Sequence, residues 1–277
     1  MPGIDTLNMT LLPGARELLA VHARELPQRD DLCGAFCGAL ALRAAGIEEH
    51  RGEALDQDAV ALAAGSIVSG MREPGTLPHG ELGRRDYRLS VPSIEDSALS
   101  GTTAAGLLDA IASLSRGRLE AIPYTGPWSP DTLAGLFELV AALERPVTLV
   151  ANFATHHLWG ARPTVSQLLD YLFEGEQDGP PADWDVGHFA CVFARVRGPR
   201  GSLYGVADTY PALGNGGVHM QPQEHLARAL ERRDMPAGGM FVVVHAEDTA
   251  AVRAGATAVG LAEGLWDNGT VAGETPR

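Results

Sequence analysis

The chain has 277 residues and carries 35 acidic residues against 21 Lys and Arg, a formal net charge of −14. Because phosphate backbones and anionic lipid surfaces repel a protein this acidic, we expect neither a nucleic-acid partner nor a membrane partner. The hydrophobic fraction of 45% is that of a folded globular protein rather than a disordered one. Three cysteines are too few for a disulfide framework, and no signal-peptide pattern opens the sequence, so we expect a cytoplasmic protein.

The first half of the chain is dominated by helical patterns. Apolar spacing predicts a helix over 12–26, with Pro13 near its start. A second helix is predicted over 32–45, where Ala, Leu, Cys and Phe fill almost every position and Gly46 ends the run. Since it is apolar on nearly all sides, this helix should be central and buried. Further helices are predicted at 53–70, 103–114 and 130–144, with a long loop at 71–93.

The second half adds strands. The β-branched run RPVTLVANF predicts a strand at 145–153, and an acidic insertion at 160–187 holds one helical patch. Two strands, 188–196 and 202–208, flank a Gly-Pro-Arg-Gly turn and predict a hairpin. A helix at 222–233, a strand at 239–246 and a polar, frayed tail from 265 follow. This order predicts an α+β fold, a helical layer on a mostly antiparallel sheet.

Two of the three cysteines, Cys33 and Cys37, lie four residues apart in the predicted central helix. Cys37 is one turn inside and is expected to be a buried packing residue. Cys33 lies in the first turn, where the helix dipole and unpaired N–H groups favour negative charge on sulfur. Gly34 beside it leaves room for a substrate. Neither a second cysteine pair nor a cofactor motif accompanies them, so no metal and no cofactor are predicted.

His188 and Asp208 carry the second chemical signal. His188 opens one strand of the predicted hairpin, and Asp208 ends the other strand. Antiparallel pairing therefore makes them neighbours, although twenty residues separate them in sequence. An imidazole oriented by a carboxylate is the usual base for activating a nucleophile. In the loop before the central helix, the amide of Gln28 is placed to donate to the oxyanion that a thiol attack on a carbonyl creates.

With these residues, the sequence resembles the papain-like cysteine peptidases, and more narrowly the bacterial double-glycine-leader (bacteriocin-processing) branch. The resemblance is carried by Gln28 followed by CGAFCGALALRAAG, by the strands GHFACVFARV and YGVADTYP, and by the closing EHLARALERRD and GMFVVV. It covers 28–46 and 187–244, with weaker support at 145–153. The spacing from Gln28 to Cys33 is five residues, where that branch usually has six.

The resemblance implies one papain-like domain over 1–277. Its core elements would be 28–46 and 145–246, with a helical and loop insertion at about 50–144 and a tail at 265–277. It assigns Cys33 as nucleophile, His188 as general base and acid, Asp208 as the residue that orients His188, and Gln28 as oxyanion donor. We expect the substrate to contact Gly34, Gly187, His156, His157 and Trp159.

Two function classes remain open at this stage. The first is a cysteine-dependent acyl hydrolase or acyltransferase, peptidase-like or amidase-like, acting on a peptide or an acyl or amide small molecule through a Cys33 thioester. The second is a non-catalytic papain-like binding module. In that case Cys33 would be a core residue, and a cleft with Trp159, Trp184, His156 and His157 would hold a peptide or small ligand.

Overall fold

A computed structural model describes residues 6–71, 77–182 and 184–273 as helices on both faces of one large sheet. The α-helices are α1 (Ala15–Glu25), α2 (Cys33–Ala44), α3 (Gln57–Ala63), α4 (Ala104–Leu114), α5 (Pro130–Ala141), α6 (Val165–Glu174), α7 (Gln223–Glu231) and α8 (Thr249–Ala258). The strands are β1 (Asn8–Leu11), β2 (Glu49–His50), β3 (Glu53–Ala54), β4 (Val68–Ser69), β5 (Ser93–Ile94), β6 (Leu119–Gly126), β7 (Thr148–Ala154), β8 (Gly187–Arg197), β9 (Ser202–Ala207), β10 (Val218–Pro222), β11 (Gly239–His245) and β12 (Ala262–Glu263).

The large sheet has eight strands in the order β10-β9-β8-β7-β11-β6-β12, with β1 added alongside β8. Every neighbouring pair in it is antiparallel. The long strand β8 therefore has β9 on one side, while β7 and then β1 pair with successive halves of its other side. This confirms the predicted α+β class with a mostly antiparallel sheet.

Side chains alternate between the two faces of the sheet and form two separate cores. One core contains residues of α1 to α4 and the sheet residues Val150, Phe189 and Phe241. The other contains residues of α5, α7 and α8 and the sheet residues Phe153 and Val242. The sequence predicted one helical layer, and the structure has a second on the opposite face.

Helix α2 lies at the centre of the first core, as its all-round apolar pattern predicted. Ten of its residues are buried, among them Phe36, Cys37 and Leu40. Gly38 permits close packing on α3 and α4, since an added Cβ would lie 2.8 Å from a methyl of Leu107 and 2.9 Å from one of Val60. The helix that begins with Cys33 is thus held rigidly by its neighbours.

Some elements differ from the prediction. No strand was predicted before 145, yet the large sheet includes β1 and also β6, which runs over Leu119–Gly126 between β11 and β12. Pro123 argued against a strand at this place in the sequence, because proline is rare in central strands. Here β12 is only two residues long, so β6 lies close to the sheet edge. The helix predicted at 53–70 is confined to α3, and β10 and α8 were not predicted. Of the predicted loop at 71–93, residues 72–76 lie outside the described ranges.

The C-terminal segment is packed rather than frayed, which corrects the prediction for 265 onward as far as residue 273. Trp266 is buried against Phe241, with ring centroids 4.6 Å apart. Asn268 accepts a hydrogen bond from the backbone N–H of Ala104 and so caps α4. Backbone hydrogen bonds from Val271 to Leu99 and from Gly273 to Gly65 complete the attachment of this segment, although its composition is polar. None of the helices in the described ranges is long and apolar enough to cross a membrane.

Candidate active site

Cys33 is the first residue of α2 and the most accessible of the three cysteines. Its side chain is half-buried, whereas Cys37 and Cys191 are buried in the core. The residue at the N-cap position, Leu32, makes no side-chain cap, and the first turn of the helix contains no acidic residue. The positive end of the helix dipole is therefore free to act on the Cys33 sulfur. Burial raises the pKa of Cys37 well above its usual value, so that thiol stays protonated.

The predicted pairing of His188 with Asp208 is present. Strand β9 ends at Ala207, opposite Cys191 in β8, so Asp208 emerges beside the start of β8. The Nε2 atom of His188 lies 2.9 Å from Oδ1 of Asp208. Both residues are buried, at 1% and 2% exposure. The hairpin geometry alone brings them together, as the sequence indicated.

The charge state of His188 is set by its surroundings. Burial disfavours the charged ring, but the carboxylate of Asp208 and the nearby Cys33 sulfur outweigh it and raise the pKa of His188 to about 10. Since Nε2 faces Asp208, the other ring nitrogen, Nδ1, is the one available to the sulfur. The side chain of Cys33 is close enough to the His188 ring to contribute to that rise in pKa.

Asp208 is held by more than His188. His219 places Nε2 3.0 Å from its second carboxylate oxygen, and the backbone N–H of Thr209 donates to the first at 2.7 Å. Burial raises the pKa of Asp208, but the charge and hydrogen bonds of His188 and His219 dominate and hold it well below its usual value. The side chain is therefore a fixed anion beneath the His188 ring.

Two further histidines thus support Asp208, and the sequence assigned neither of them. His22 of α1 donates from Nε2 to the backbone carbonyl of Asp208 at 2.5 Å. Burial lowers the pKa of His22, so the ring is neutral with its proton on Nε2. His219 donates from Nε2 to the carboxylate, and its Nδ1 accepts from the amide of Gln221 at 3.0 Å. That amide also donates to the carbonyl of Trp159 at 2.9 Å.

Gln28 is buried at the edge of the same site. Its Nε2 donates to the hydroxyl of Tyr210 at 2.8 Å, while its Oε1 has no hydrogen-bond partner among the described residues. A hydroxyl can donate or accept, so the amide can turn and direct its N–H groups to where Oε1 now lies. The backbone N–H of Gln28 donates to the carbonyl of Thr209, which ties this loop to Asp208.

A cavity of about 450 Å³ joins these groups. Cys33, His188 and Gln28 line it, and so does Gly187, one of the predicted substrate contacts. Further lining residues come from the loops before α2 and after β4 and from the C-terminal segment: Asp30, Asp31, Ser69, Arg85, Asn268 and Thr270. A space of this size suits a small molecule or a short peptide segment.

Four of the predicted substrate contacts lie elsewhere. Gly34 is covered, since an added Cβ would lie 2.8 Å from Cβ of Thr102, so its role here is close packing. Trp159 is buried against Tyr171, with its N–H 3.1 Å from a ring nitrogen of His225. The missing side chain at Gly34 therefore allows close packing on Thr102, rather than the approach of a substrate that was expected.

His156 and His157, the other two predicted contacts, form a partly exposed cluster with two aspartates. His156 lies 2.7 Å from Asp234 and 2.8 Å from Asp185, and His157 lies 3.4 Å from Asp234. The donor atoms of His156, His157 and Asp234 are within 4.8 Å of one another, a spacing that a metal ion could use. One hydrogen bond, between His156 and Asp234, and the ion-pair contacts to Asp185 and Asp234 already account for the arrangement.

Sequence reasoning also missed Arg232 and Asn152, which both line the cavity. The guanidinium of Arg232 donates to Oδ1 of Asn152 at 2.6 Å, and the N–H of Trp266 donates to the same oxygen at 3.0 Å. In the sequence, Arg232 belongs to the polar run ERRD at the end of the helix predicted over 222–233, a position typical of exposed residues. Arg232 is buried because the chain between α7 and β11 passes beside β7, where Asn152 accepts its hydrogen bond.

Residues 12–267 match a family described as being of unknown function, DUF6885. The search of curated proteins returned no match.

Proposed function

The chain belongs to this family of unknown function, and from its site we propose that it is a cysteine-dependent acyl hydrolase or acyltransferase of papain-like type. Cys33 is the nucleophile, His188 the general base and acid, Asp208 the residue that orients His188, and Gln28 the oxyanion donor. The resemblance of the segments around these residues to the double-glycine-leader peptidases supports the same assignment.

One observation carries the proposal. A buried imidazole, 2.9 Å from a buried carboxylate, lines the same cavity as a part-exposed cysteine at an uncapped helix start. Packing alone does not require a buried ionic pair, because desolvating two charges is costly. A catalytic role explains the pair of His188 and Asp208, because the His188 ring must then exchange a proton with Cys33.

In the acylation step the Cys33 sulfur attacks a substrate carbonyl. The S–H proton has passed to His188 before the attack, because the His188 ring is protonated at neutral pH, and the carbonyl electrons move to oxygen as the new S–C bond forms. The N–H groups of Gln28 and the backbone N–H of Cys33 stabilise that oxyanion. When the intermediate collapses, the C–N bond breaks and His188 returns the proton to the departing amine, leaving a thioester on Cys33.

The second step releases the acyl group. His188 takes a proton from water or from an amine as that nucleophile attacks the thioester, and the electrons of the breaking C–S bond return to sulfur beside the protonated ring. Water gives a peptidase or amidase reaction, and an amine gives an acyltransferase reaction. The C-terminal segment and the loop after β4 wall the cavity, which favours a specialised processing or biosynthetic substrate over bulk proteolysis.

We also propose the chain's setting from the same features. All three cysteines are free, as in a reducing compartment, so we place the protein in the cytoplasm. A net charge of −14 favours a peptide or small acyl or amide substrate over nucleic acid or a membrane surface.

The test uses p-nitrophenyl acetate, a probe that acylates thiol nucleophiles. The protein should release a burst of p-nitrophenolate equal to its own concentration, with one acetyl group located on Cys33 by mass spectrometry. Cys33→Ala should abolish the burst, and the matched Cys37→Ala variant should keep it. Acetyl groups spread over several residues without a burst would refute a Cys33 thioester. Adding amines to the acetylated protein then separates hydrolysis from transfer.

The binding-module alternative has less support. Of the residues it would use, Trp184 lines the main cavity, whereas Trp159, His156 and His157 are absent from its described lining. A binding role also gives no reason for the two ionic contacts of Asp208 beneath His188.

A further inference from the structure

Arg232 is a buried cation inside the candidate active site. It follows the last residue of α7 with a left-handed backbone, φ 42°, and is 4% exposed. Burial lowers its pKa to about 10, while the charges of Cys33 and Asp234 act in the other direction. The guanidinium is therefore protonated at neutral pH and lies near enough to Cys33 for their charges to interact.

This cation has no anionic partner within the part of the chain that the structure describes. Its one hydrogen bond there runs from Nη1 to the amide oxygen of Asn152, and Nε has none. The nearby carboxylate of Asp234 is paired with His156 and His157 instead. A buried charge without a counter-ion is unfavourable, and proteins usually keep one only where a ligand supplies the missing charge.

The surroundings of Arg232 are shaped to hold it in place. A Cβ added at Gly187, the residue before His188, would lie 2.5 Å from Nη2, and one at Gly238 would overlap the side-chain stem of Arg232. Asn152 fixes Nη1 and, through its own amide nitrogen, donates to the backbone carbonyl of His188 at 3.3 Å. The guanidinium is thus positioned by the same backbone that positions the catalytic base.

We infer that Arg232 binds a carboxylate of the substrate next to the carbonyl that Cys33 attacks, which rests on the proposed function. With Nη1 held by Asn152, the Nε–Nη2 edge has no described protein acceptor, and this is an edge that receives carboxylates in a bidentate manner. The substrate class is an amide or peptide with a free carboxylate close to the bond that breaks.

The other charges in the cavity favour a carboxylate over a phosphate. Asp30 and Asp31 also line it, and Arg85 acts on Asp31, where it helps to lower a pKa that burial raises. Among the described lining residues, Arg232 is thus a cation that forms no ion pair with a carboxylate of the cavity. A single charge on the ligand matches a single guanidinium, whereas a phosphate dianion would meet two aspartates.

The test compares two alkylating reagents that differ by one charge. Iodoacetate carries a carboxylate, and iodoacetamide carries a neutral amide of similar size. In both reactions the cysteine sulfur displaces iodide. We would measure the two rate constants at Cys33 by mass spectrometry and take their ratio. Effects on the sulfur itself cancel in that ratio, so it reports only the preference for the anionic reagent.

The native protein should show a ratio roughly tenfold higher than Arg232→Gln, because the variant lacks the charge-assisted contact. Arg233→Gln, which removes the exposed neighbouring arginine, should keep the native ratio. Equal ratios in the native protein and Arg232→Gln would overturn the carboxylate site. The absolute iodoacetamide rate tests the proposed function separately: a slow rate with a large Arg232-dependent ratio would refute catalysis and keep the anion site.

A second measurement needs no substitution and guards against a misfolded variant. Sodium acetate should slow the labelling of native Cys33 by iodoacetamide in a saturable manner, and acetamide at the same concentrations should not. Equal protection by both, or by neither, would contradict a carboxylate site. Arg232→Lys should retain part of the acetate effect, since lysine keeps the charge but loses the bidentate geometry.

Discussion

His219 donates from Nε2 to the Oδ2 oxygen of Asp208 at 3.0 Å, the carboxylate oxygen that His188 does not use. Asp208 is thereby held between two imidazoles, and its direction does not depend on His188. A carboxylate fixed in this way can keep the His188 ring in one orientation while that ring exchanges protons with Cys33. The relationship makes His219 a positioning residue for the proposed chemistry.

Replacing His219 with Ala should therefore slow alkylation of Cys33 by iodoacetamide by roughly tenfold, because Asp208 loses the imidazole that holds its Oδ2 oxygen. The variant should also lose about 1–3 kcal/mol of unfolding free energy, since a buried carboxylate oxygen is left without its donor. Rates by mass spectrometry and urea unfolding check both effects. His225→Ala is the control, because His225 contacts Trp159 rather than Asp208. Equal rates in the two variants would exclude a positioning role for His219.

The substitution Asp208→Asn should lower the pKa of His188 from about 10 toward its ordinary value near 6.5. The sign follows from the causes: burial lowers this pKa, and the charge of Asp208 is the strongest influence that raises it. In the native protein the ring keeps its proton through neutral pH and loses it near pH 10, whereas in the variant it loses the proton at a lower pH. NMR titration of the His188 ring measures this. Asp131→Asn, on the exposed start of α5, should leave the titration unchanged.

Gln28→Ala should separate two reactions of Cys33. Acylation by p-nitrophenyl acetate passes through an oxyanion and should slow by roughly 10²-fold, whereas alkylation by iodoacetamide creates no oxyanion and should be unchanged. Tyr210→Phe, which removes the hydroxyl that receives the Gln28 amide, should give a smaller loss in acylation alone. If both reactions slow together in Gln28→Ala, the residue acts on the sulfur or on folding rather than on the oxyanion.

Trp266→Ala should lower the free energy of unfolding by about 3–5 kcal/mol, because a large buried side chain is removed from a packed site. Trp266→Phe keeps an aromatic ring against Phe241 and loses the N–H that donates to Asn152, so its loss should be about 1 kcal/mol. Urea unfolding distinguishes the two. If Trp266→Ala unfolds with the same free energy as the native protein, the C-terminal segment contributes no packing, as its polar composition had suggested.

The residues differ in how far the sequence could locate them. His188 and Asp208 were predictable because antiparallel pairing within one hairpin brings the start of its first strand beside the end of its second. Cys33 was predictable because the end of an apolar helix is visible in composition. His22 reaches the carbonyl of Asp208 across 186 residues of chain, and no local pattern encodes that contact.

Arg232 and Trp266 were misjudged for a related reason. Each lies in a polar run, and composition alone assigns such runs to the surface. Their burial depends on Asn152 in β7, to which both donate, so the signal exists only once the sheet is assembled. The same limit applies to His156 and His157: their position after a strand suggested the site, but the chain turns them toward Asp234 instead.

Competitive labelling with iodoacetamide at neutral pH is the decisive test of whether His188 activates Cys33. Cys33 should react much faster than Cys37 or Cys191 in the native protein. His188→Ala should reduce the Cys33 rate to that of an ordinary exposed thiol, while His245→Ala, at the end of β11, should not change it. If Cys33 reacts no faster than Cys37, or keeps its rate without His188, the pair is not a catalytic one and the account is wrong.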